Sequence, residues 1–307
     1  MDFKSKIILI SGPTASGKSH FAIKLAKKIK GEIINADSMQ VYKEFFILTS
    51  RPSKKDEKII KHHLYGFLSA KDYFSVGDWI ILVKKMIKKT VRNKKIPIIV
   101  GGTGLYFNAI TKGISKIPKI NEKFRKKIRL LHKNLGQEEF FKRLIAIDPI
   151  SKAKISPNDS QRSIRAYEVK EFTKKSLFDW TSNTKSDFLD FDIKKIFINT
   201  PREVLLKKIT KRTDQMKKDG CIDEVKKFLK LNLDKSLSAN KIIGVKEISN
   251  YLSGDHTLEK AVECINIKTR QYAKSQNTWS RGHMSSWKKL YSKDISSLKK
   301  KFLKEIS

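Results

Sequence analysis

A short segment near the N-terminus has the spacing of a phosphate-binding loop, Gly-x4-Gly-Lys-Ser. The apolar run 7–10 predicts a buried strand before this segment, and 20–26 predicts a helix after it. Glycine lets the backbone wrap around a phosphate, and amide groups at the start of a helix point towards the anion. A glycine turn without a ligand is the alternative interpretation. The segment consists of Gly12, Pro13, Thr14, Ala15, Ser16, Gly17, Lys18 and Ser19.

Three side chains have the chemistry to hold a polyphosphate. Lys18 supplies a positive charge at the loop, and the Ser19 hydroxyl is placed to bind a magnesium ion, Mg²⁺. Arg212 lies in a helix predicted much further along the chain and could also reach a diphosphate. A solvated arginine is the commoner arrangement. The loop by itself does not indicate which molecule carries the phosphate.

Asp37 directly follows the second predicted strand, 32–36. Ligands of open parallel sheets bind beyond the carboxyl ends of the strands, so we expect Asp37 at the same edge as the phosphate loop. A carboxylate there could order Mg²⁺-bound water, act as a general base or cap a helix. The residues alone leave these three roles open.

Glycines and a threonine end the third predicted strand in a similar way. Glycine permits close approach of the backbone, and Thr103 adds a hydroxyl group at the strand end. A simple turn is the alternative for Gly101-Gly102-Thr103-Gly104 taken by itself. Together with Asp37 and the phosphate loop, this segment outlines one pocket.

The segment 158–168 predicts the start of a helix, with Asp159 or Ser160 as its N-cap. Arg162 and Arg165 are three residues apart and therefore project from one side of that helix. Such a pair is usually solvated. In a basic segment it could instead bind an RNA backbone or base.

The composition indicates a globular protein with a polyanionic partner. The chain of 307 residues has 67 Lys and Arg against 31 Asp and Glu, which gives a net charge of +36, and 39% of its residues are hydrophobic. This charge suggests nucleic acid as the partner. An AT-rich genome also enriches a chain in Lys, Ile and Asn, so charge alone leaves RNA binding open.

The composition also excludes several classes of protein. No apolar run reaches the roughly 18–20 residues of a membrane span, and the first strand begins too early for a signal peptide. Cys221 and Cys264 are the only cysteines, so neither a disulfide framework nor a cysteine zinc site is indicated, and we expect a cytoplasmic protein. His62 and His63 lack further ligands at metal spacing, so we interpret them as structural or surface residues.

Four apolar runs separated by helical stretches predict an α/β fold with a doubly wound parallel sheet. The last two runs are too far apart for one crossover, and the polar, Lys-rich stretch between them has helical periodicity. We therefore predict an all-helical insertion domain, 114–194, and a core domain formed by 1–113 and 195–307. Residues 294–307 predict an exposed basic helix. The predicted strands are 7–10, 32–36, 96–100 and 196–199.

Taken in order, these motifs resemble those of the tRNA dimethylallyltransferase family, also called tRNA isopentenyltransferases or IPP transferases. Each motif outside the phosphate loop is weak, but seven in sequence are highly specific. The matching residues are the phosphate loop, Asp37-Ser38-x-x-x-Tyr42, His62-His63-Leu64, Gly101-Gly102-Thr103-Gly104-Leu105-Tyr106, Pro157-Asn158-Asp159-x-Gln161-Arg162-x-x-Arg165-Ala166-x-Glu168-Val169, Ile243-Gly244-x-Lys246-Glu247 and Thr269-Arg270-Gln271-x-Ala273-Lys274-x-Gln276-x-Thr278-Trp279.

The resemblance implies a P-loop NTPase-like parallel sheet flanked by helices, with a helical insertion. It further implies transfer of a dimethylallyl group from dimethylallyl diphosphate to N6 of the adenine 3′-adjacent to the anticodon of tRNA. The loop would then hold the diphosphate of that donor rather than ATP, with Mg²⁺ as cofactor. The partner would be the anticodon stem-loop of one tRNA, bound by a monomer.

The resemblance also assigns roles to residues that match the family's motifs. Asp37 would be the base at N6, and residues 14–19 with Arg212 would hold the diphosphate, so that Lys18 and Arg212 take part in catalysis. Residues in both predicted domains would touch the tRNA. They are Asp37, Ser38, Met39, Gln40, Thr103, Arg125, Gln161, Arg162, Ser163, Ile164 and Arg165.

The chain departs from the family pattern at 49–52, where Thr-Ser-Arg-Pro stands in place of the usual Gly-Thr-Ala-Lys-Pro, and again at 64–67. These departures affect local contacts of the prenyl pocket rather than the reaction class. Rival functions are a P-loop kinase of a small metabolite, a free-nucleotide prenyltransferase and a non-catalytic RNA-binding protein. The long basic insertion argues against the first two, and the intact Lys18, Ser19 and Asp37 argue against the third.

Overall fold

In the described part of the chain, six strands form one sheet in which every pair of neighbouring strands is parallel, and isoleucine-rich runs form its central strands. The computed structural model describes residues 6–182 and 184–291. In chain order, its elements are β1 (Lys6–Ser11), α1 (Lys18–Ile29), β2 (Gly31–Asn35), α2 (Lys54–Ile59), β3 (His62–His63), α3 (Val76–Arg92), β4 (Ile96–Gly101), α4 (Gly104–Thr111), α5 (Glu122–Ile147), α6 (Ser151–Lys154), α7 (Ser160–Thr173), α8 (Leu177–Ser182), β5 (Asp192–Asn199), α9 (Arg202–Lys218), α10 (Cys221–Leu229), a 3₁₀ turn (Ser238–Lys241), α11 (Val245–Leu252), α12 (Leu258–His283) and β6 (Lys288–Tyr291).

The strand order is β3-β2-β4-β1-β5-β6, so β1 lies near the centre of the sheet. Ile10 of β1 is opposite Val100 of β4 on one side and Ile196 of β5 on the other. Strands β2, β3 and β4 lie on one side of β1, and β5 and β6 lie on the other. Ligands of such sheets bind beyond the carboxyl ends of the strands where the chain changes sides. The predicted α/β fold with a parallel sheet is confirmed.

The four predicted strands correspond to β1, β2, β4 and β5, but the sequence analysis missed the two edge strands. One edge strand is the residue pair His62–His63, which adds to β2. The other edge strand, β6, is Lys-Lys-Leu-Tyr and adds to β5. Neither has the continuous apolar run of a central parallel strand, because an edge strand is covered less completely.

Helix α1 covers one face of the sheet. Its apolar residues recur every three or four positions, so Phe21 and Leu25 pack against Ile8, Ile10 and Ile33 of the strands. All five side chains are buried. Burial of one such side chain contributes about 1.5–3 kcal/mol, so this contact fixes the helix that follows the phosphate loop.

Helix α3 fixes the carboxyl end of β2. Its N-terminus is closed by a capping box in which Ser75 and Asp78 bond to each other's backbone amides. The buried Trp79 donates from Nε1 to the Asn35 carbonyl at 2.9 Å and stacks on Tyr106 with ring centroids 4.0 Å apart. The last residue of β2 is thereby held in place directly before Asp37.

The helices after β5 form a second apolar cluster with the turn-rich segment 41–48. Phe45 of this segment packs on Phe228 of α10 with ring centroids 4.6 Å apart, and Leu48 and Ile265 are buried in the same cluster. The segment has neither a helix nor a strand of its own. Its conformation consequently depends on residues far along the chain.

The chain divides into two compact units, one formed by 1–109 with 188–307 and the other by 110–187. The division lies a few residues before each boundary of the predicted insertion, 114–194. The predicted insertion therefore included the first three residues of β5, which belong to the first unit. In the second unit, four helices pack around a core. That core includes Phe141, Leu144, Ile155 and Ala166.

The described residues contain no helix that is both long and apolar enough to cross a membrane. The predicted basic helix over 294–307 lies outside the described residues.

We predict that Gly101→Ala destabilises the protein. A Cβ at Gly101 would lie 2.0 Å from the carbonyl oxygen of Ala36. Because the obstacle is backbone at a strand end, the expected loss of unfolding free energy is about 1–3 kcal/mol or more. Chemical denaturation measures the change.

Gly282→Ala in α12 is the matched control, since a Cβ there meets no atom within 4 Å. Alanine favours a helix over glycine by up to about 1 kcal/mol, so this variant should be as stable as the parent or more so. Equal denaturation midpoints for Gly101→Ala and the parent would contradict the close approach of the two strand-end segments.

Candidate active site

The phosphate loop connects β1 to α1 through two left-handed residues. Ala15 has a φ of 61° and Gly17 a φ of 91°, and the Ser16 amide donates to the Pro13 carbonyl at 3.2 Å. A Cβ at Gly12 would lie 2.9 Å from the Ile198 carbonyl of β5. A non-glycine residue held at a positive φ, as Ala15 is here, is typical of a functional loop.

A buried hydroxyl group in the loop has no partner. Within the described part of the chain, no hydrogen-bond partner exists for the Oγ atom of Ser16, and this residue is fully buried. An unpaired buried polar atom costs about 1–3 kcal/mol. Such an atom inside a phosphate-binding loop is consistent with a polar ligand that supplies the missing partner.

Lys18 lies at the start of α1, and its Nζ atom donates to the Pro13 carbonyl at 3.3 Å. Surrounding protein atoms shield the ammonium group from bulk water although part of the residue remains accessible. This desolvation lowers the pKa of Lys18 to about 8; Asp37 partly opposes the shift and Arg212 adds to it. An anion that binds the loop would restore the charged form.

Arg212 of α9 lies beside the loop. Its Nη1 atom donates to Thr14 Oγ1 at 2.6 Å and its Nη2 atom to the Leu48 carbonyl at 3.5 Å. Burial lowers the pKa of this guanidinium group, while Asp37 raises it. The structure thus brings together the two cationic side chains that the sequence analysis assigned to a diphosphate.

Asp37 lies in a turn that its own neighbours hold. The Asp37 amide donates to Asn35 Oδ1 at 2.8 Å, Asn35 Nδ2 donates to the Asp37 carbonyl at 2.9 Å, and Asp37 Oδ1 accepts from the Met39 amide at 3.0 Å. No helix begins at Asp37, so the helix-cap alternative is wrong. Among the described residues, no hydrogen bond reaches the second carboxylate oxygen, Oδ2.

The carboxylate of Asp37 acts on several titratable groups of the site. It raises the pKa values of both Lys18 and Arg212, although burial lowers each by more. Burial raises the pKa values of Tyr65 and Tyr272, and Asp37 raises them further. The two cations and the two phenols therefore share the electrostatic environment of one carboxylate.

Thr103 connects the ends of β2 and β4. Its amide donates to the Ala36 carbonyl at 3.1 Å, and its Oγ1 atom accepts from the Ser38 amide at 2.9 Å and donates to Ser38 Oγ at 3.2 Å. The structure therefore brings Asp37, Ser38 and Thr103 to one edge of the sheet.

Gln276 of α12 is a site residue that the sequence analysis quoted only within a motif. Its Oε1 atom accepts from the Thr14 amide at 2.8 Å, and its Nε2 atom donates to the Gly102 carbonyl at 3.0 Å. One side chain thus connects the phosphate loop to the glycine segment after β4. Only its place within the last family motif could have signalled this role.

Met39 and Gln40 follow Asp37 but face the turn-rich segment. Met39 packs against the apolar cluster of that segment. Gln40 Nε2 donates to the carbonyls of Thr49 at 2.8 Å and Ser50 at 3.0 Å. Both amide hydrogens of Gln40 are therefore used within the protein, and its predicted contact with tRNA stays a prediction.

Arg51, in the segment that departs from the family pattern, packs over the backbone of Gly66. A Cβ at Gly66 would overlap the guanidinium group, which also lies 5.3 Å from the ring centroid of Phe46. Desolvation lowers the pKa of Arg51 and neighbouring carboxylates partly compensate. The arginine at this position therefore closes a turn next to Gln40.

In the second unit, three arginines surround the buried carboxylate of Glu168. Its oxygens lie 3.3 Å from Nε of Arg125, 3.4 Å from Nη1 of Arg165 and 4.0 Å from Nε of Arg129. The Glu168 side chain is only 2% exposed. A buried carboxylate holds the guanidinium groups together and limits their mutual repulsion.

The other predicted RNA contacts lie on or near the first turn of α7. Asp159 is the N-cap, as one of the two alternatives predicted, and its Oδ2 atom pairs with the exposed Arg162 at 3.4 Å. Ser163 is buried and donates to the Asp159 carbonyl at 2.8 Å. Gln161 is exposed and Ile164 is partly exposed, so this turn presents both polar and apolar side chains.

The described residues contain no group of three or more His, Cys, Asp and Glu side chains that could hold a metal ion. Near the loop, the exposed Ser19 hydroxyl and the partly exposed Asp37 carboxylate are oxygen groups that could bind a metal ion. His63, by contrast, pairs with buried Glu32 at 2.7 Å and is structural, as predicted.

A family model described as IPP transferase matches residues 40–283. A tRNA dimethylallyltransferase of Pelagibacter ubique (strain HTCC1062) is 57% identical over 290 residues, which cover 94% of this chain and 93% of that relative. The chain belongs to this family. The tRNA dimethylallyltransferase of Rickettsia massiliae (strain Mtu5) is 45% identical, with 90% of this chain and 76% of that relative covered.

Solved structures of IPP transferase family members agree with the fold. The tRNA isopentenylpyrophosphate transferase of Bacillus halodurans has a TM-score of 0.70 at 31% identity and covers 98% of this chain and 96% of its own. A eukaryotic dimethylallyltransferase acting on tRNA has a TM-score of 0.81 at 27% identity, and the match covers 95% of this chain and 75% of that structure's chain. The predicted family is confirmed.

We predict that the phosphate loop takes up a proton when it binds an alkyl diphosphate above pH 8. Lys18, with a pKa of about 8, is largely neutral at higher pH, and a bound anion favours its protonated form. The affinity of the loop for the alkyl diphosphate should therefore fall as the pH rises through about 8. Calorimetry in two buffers of different ionisation enthalpy should detect proton uptake at a pH of about 8.5 and much less at about 6.5.

Lys18→Arg is the control for this experiment, because a guanidinium group stays protonated over the whole range. Equal proton uptake by the parent and Lys18→Arg would show that another group takes up the proton.

Proposed function

We propose that the chain transfers a dimethylallyl group from dimethylallyl diphosphate to N6 of the adenine 3′-adjacent to the anticodon in tRNA. N6-dimethylallyladenosine and diphosphate are the products. Family membership supports this reaction, as does the name of the Pelagibacter ubique relative. The observation that carries the proposal is the carboxylate of Asp37 beside a phosphate loop with two partly desolvated cations.

The cationic side of the site suits departure of the diphosphate. An allylic carbon can develop positive character when its leaving group is neutralised. Lys18, Arg212 and the amides at the start of α1 are fixed before the substrate arrives, so little reorganisation is needed as negative charge develops. Their partial removal from water strengthens each interaction with the leaving group.

Asp37 suits activation of the adenine. The lone pair of the exocyclic amine is delocalised into the ring, which makes it a poor nucleophile. The carboxylate can orient the amine through Oδ2 and accept its proton, because Oδ1 is already bonded to the Met39 amide. The base must leave its stack to reach the pocket, and this costs a few kcal/mol, least in a single-stranded loop.

We also propose that Mg²⁺ assists the reaction. Ser19 at the start of α1 would supply a hydroxyl ligand, as in other phosphate-binding loops, and the bound diphosphate would supply further oxygens. The buried Ser16 Oγ has no hydrogen-bond partner among the described residues, which supports a further polar contact within the loop. When bound, Mg²⁺ would neutralise part of the diphosphate charge.

The proposed RNA partner is the anticodon stem-loop. In one unit, the RNA would contact Asp37 and Thr103 in the strand-end turns. Side-chain hydrogen bonds fix the backbone of these turns. In the other unit, Arg125 and Arg165 present guanidinium groups that can pair with phosphates. We expect a monomer that works in the cytoplasm, where Cys221 and Cys264 stay reduced; both are free thiols in the structure.

The central experiment asks which donor transfers its label. Unmodified tRNA is incubated with dimethylallyl diphosphate labelled in the prenyl group or with ATP labelled in the γ-phosphate. We expect prenyl label in the tRNA and none from ATP. Transfer of phosphate label to a small metabolite, or of prenyl label to a free nucleotide but not to tRNA, would overturn the proposal.

Asp37→Asn should lower the rate of prenyl transfer by about 10²-fold or more while tRNA still binds. The asparagine keeps an oxygen for the Met39 amide but cannot accept a proton at neutral pH. Single-turnover kinetics measure the effect. Asp223→Asn, at an exposed position of α10, is the control, and near-parental turnover of Asp37→Asn would exclude Asp37 as the base.

Arg162→Gln combined with Arg165→Gln should weaken tRNA binding and reduce the slope of log affinity against log salt by about 1–2. The control is Lys142→Gln with Arg143→Gln, an equal change of charge on the exposed face of α5. Binding is measured over a series of salt concentrations. The same slope in both double variants would argue against a specific contact by α7.

A further inference from the structure

One carboxylate far along the chain binds three successive backbone amides of the turn-rich segment. Glu224 Oε1 accepts from the amides of Phe46 at 2.6 Å and Ile47 at 2.8 Å, and Oε2 accepts from the Leu48 amide at 2.9 Å. Glu224 belongs to α10, about 180 residues away in sequence. A carboxylate with three amide donors is a strong, charge-assisted arrangement.

The same segment supports a residue of the candidate active site. The carbonyl of Leu48 accepts from Arg212 Nη2 at 3.5 Å, while Arg212 Nη1 donates to Thr14 of the phosphate loop at 2.6 Å. Glu224 binds the amide of the residue whose carbonyl faces Arg212. The three groups therefore form a continuous path from α10 to the phosphate loop.

Packing contacts restrict the backbone of Leu48, so it cannot shift to compensate when a hydrogen bond of this path is lost. Its side chain is buried, and a Cβ at Gly244 would lie 2.6 Å from Leu48 Cδ2. The segment has no helix or strand to satisfy its own amides, so Glu224 replaces the missing backbone partners. A rotation of the Leu48 peptide would move the carbonyl away from Arg212.

We propose that Glu224 is a positioning residue for the diphosphate site. It holds the Phe46–Leu48 backbone so that the Leu48 carbonyl directs Arg212 towards the phosphate loop. This role rests on the proposed binding of a diphosphate there, and Glu224 itself touches no substrate. A neutral glutamine of the same shape cannot replace it, because its NH₂ group would face one of the three amide donors.

The test measures binding of inorganic diphosphate to the full chain by calorimetry, in the parent and in Glu224→Gln. We expect the dissociation constant to rise about tenfold, since a small displacement of a binding group is costly. Glu263→Gln, an exposed glutamate of α12 paired with Lys260, is the charge-matched control and should bind as the parent does. Unchanged affinity of Glu224→Gln would overturn the proposal.

A double-variant cycle separates positioning from general destabilisation. Arg212→Lys keeps a positive charge but has a single donor group that cannot bridge Leu48 and Thr14. If Glu224 acts through Arg212, Glu224→Gln should change the affinity less than about twofold in the Arg212→Lys background. An equal loss in both backgrounds would show that Glu224 merely stabilises the fold and would refute the proposal.

Kinetic measurements give an independent readout. Glu224→Gln should lower kcat/KM for dimethylallyl diphosphate, while KM for tRNA stays at the parental value. An equal increase of the KM values for both substrates would count against a role at the donor site.

Failure of the proposed reaction can be distinguished from failure of this inference. If the parent binds diphosphate but transfers no prenyl group, the proposed reaction is wrong, and the double-variant binding cycle still decides the role of Glu224. If Glu224→Gln does not fold, Glu224→Asp, which keeps the charge but shortens the reach, takes its place in every measurement.

Discussion

The site depends on two cationic side chains that are partly removed from water next to one carboxylate. Desolvation of Lys18 and Arg212 costs free energy, and Asp37 offsets part of that cost in both cases. A bound diphosphate would offset the cost more completely, because it carries more negative charge. The arrangement therefore favours an anionic ligand and leaves the carboxylate available to the second substrate.

Fixed backbone segments hold these charges at their positions, and each is tied by a side chain from elsewhere. Thr103 bonds the segment after β2, Gln276 connects the phosphate loop to Gly102, and Glu224 binds the segment that faces Arg212. A hydrogen bond from a side chain to the backbone fixes a turn without requiring regular structure. The site is therefore rigid although most of its residues lie in loops.

The sequence predicted the strands that form the centre of the sheet because long apolar runs have few alternatives. It missed β3 and β6, since two histidines or a Lys-Lys-Leu-Tyr segment show no pattern that distinguishes an edge strand from a loop. The residues alone also left open whether Arg212 reaches the loop, and only the family resemblance assigned it there. The packing of α9, with Leu205 and Ile209 buried, decides that the guanidinium group lies beside Thr14.

The phosphate loop, the fold class and the family were determined by the sequence itself, because local spacing and the order of motifs carry that information. The tertiary structure alone decided which distant side chains complete the site. Gln276 and Glu224 act on backbone groups more than 170 residues away, and no local pattern encodes such a contact. Their roles arise only when the chain has folded, since packing of the helices brings these residues to the carboxyl edge of the sheet.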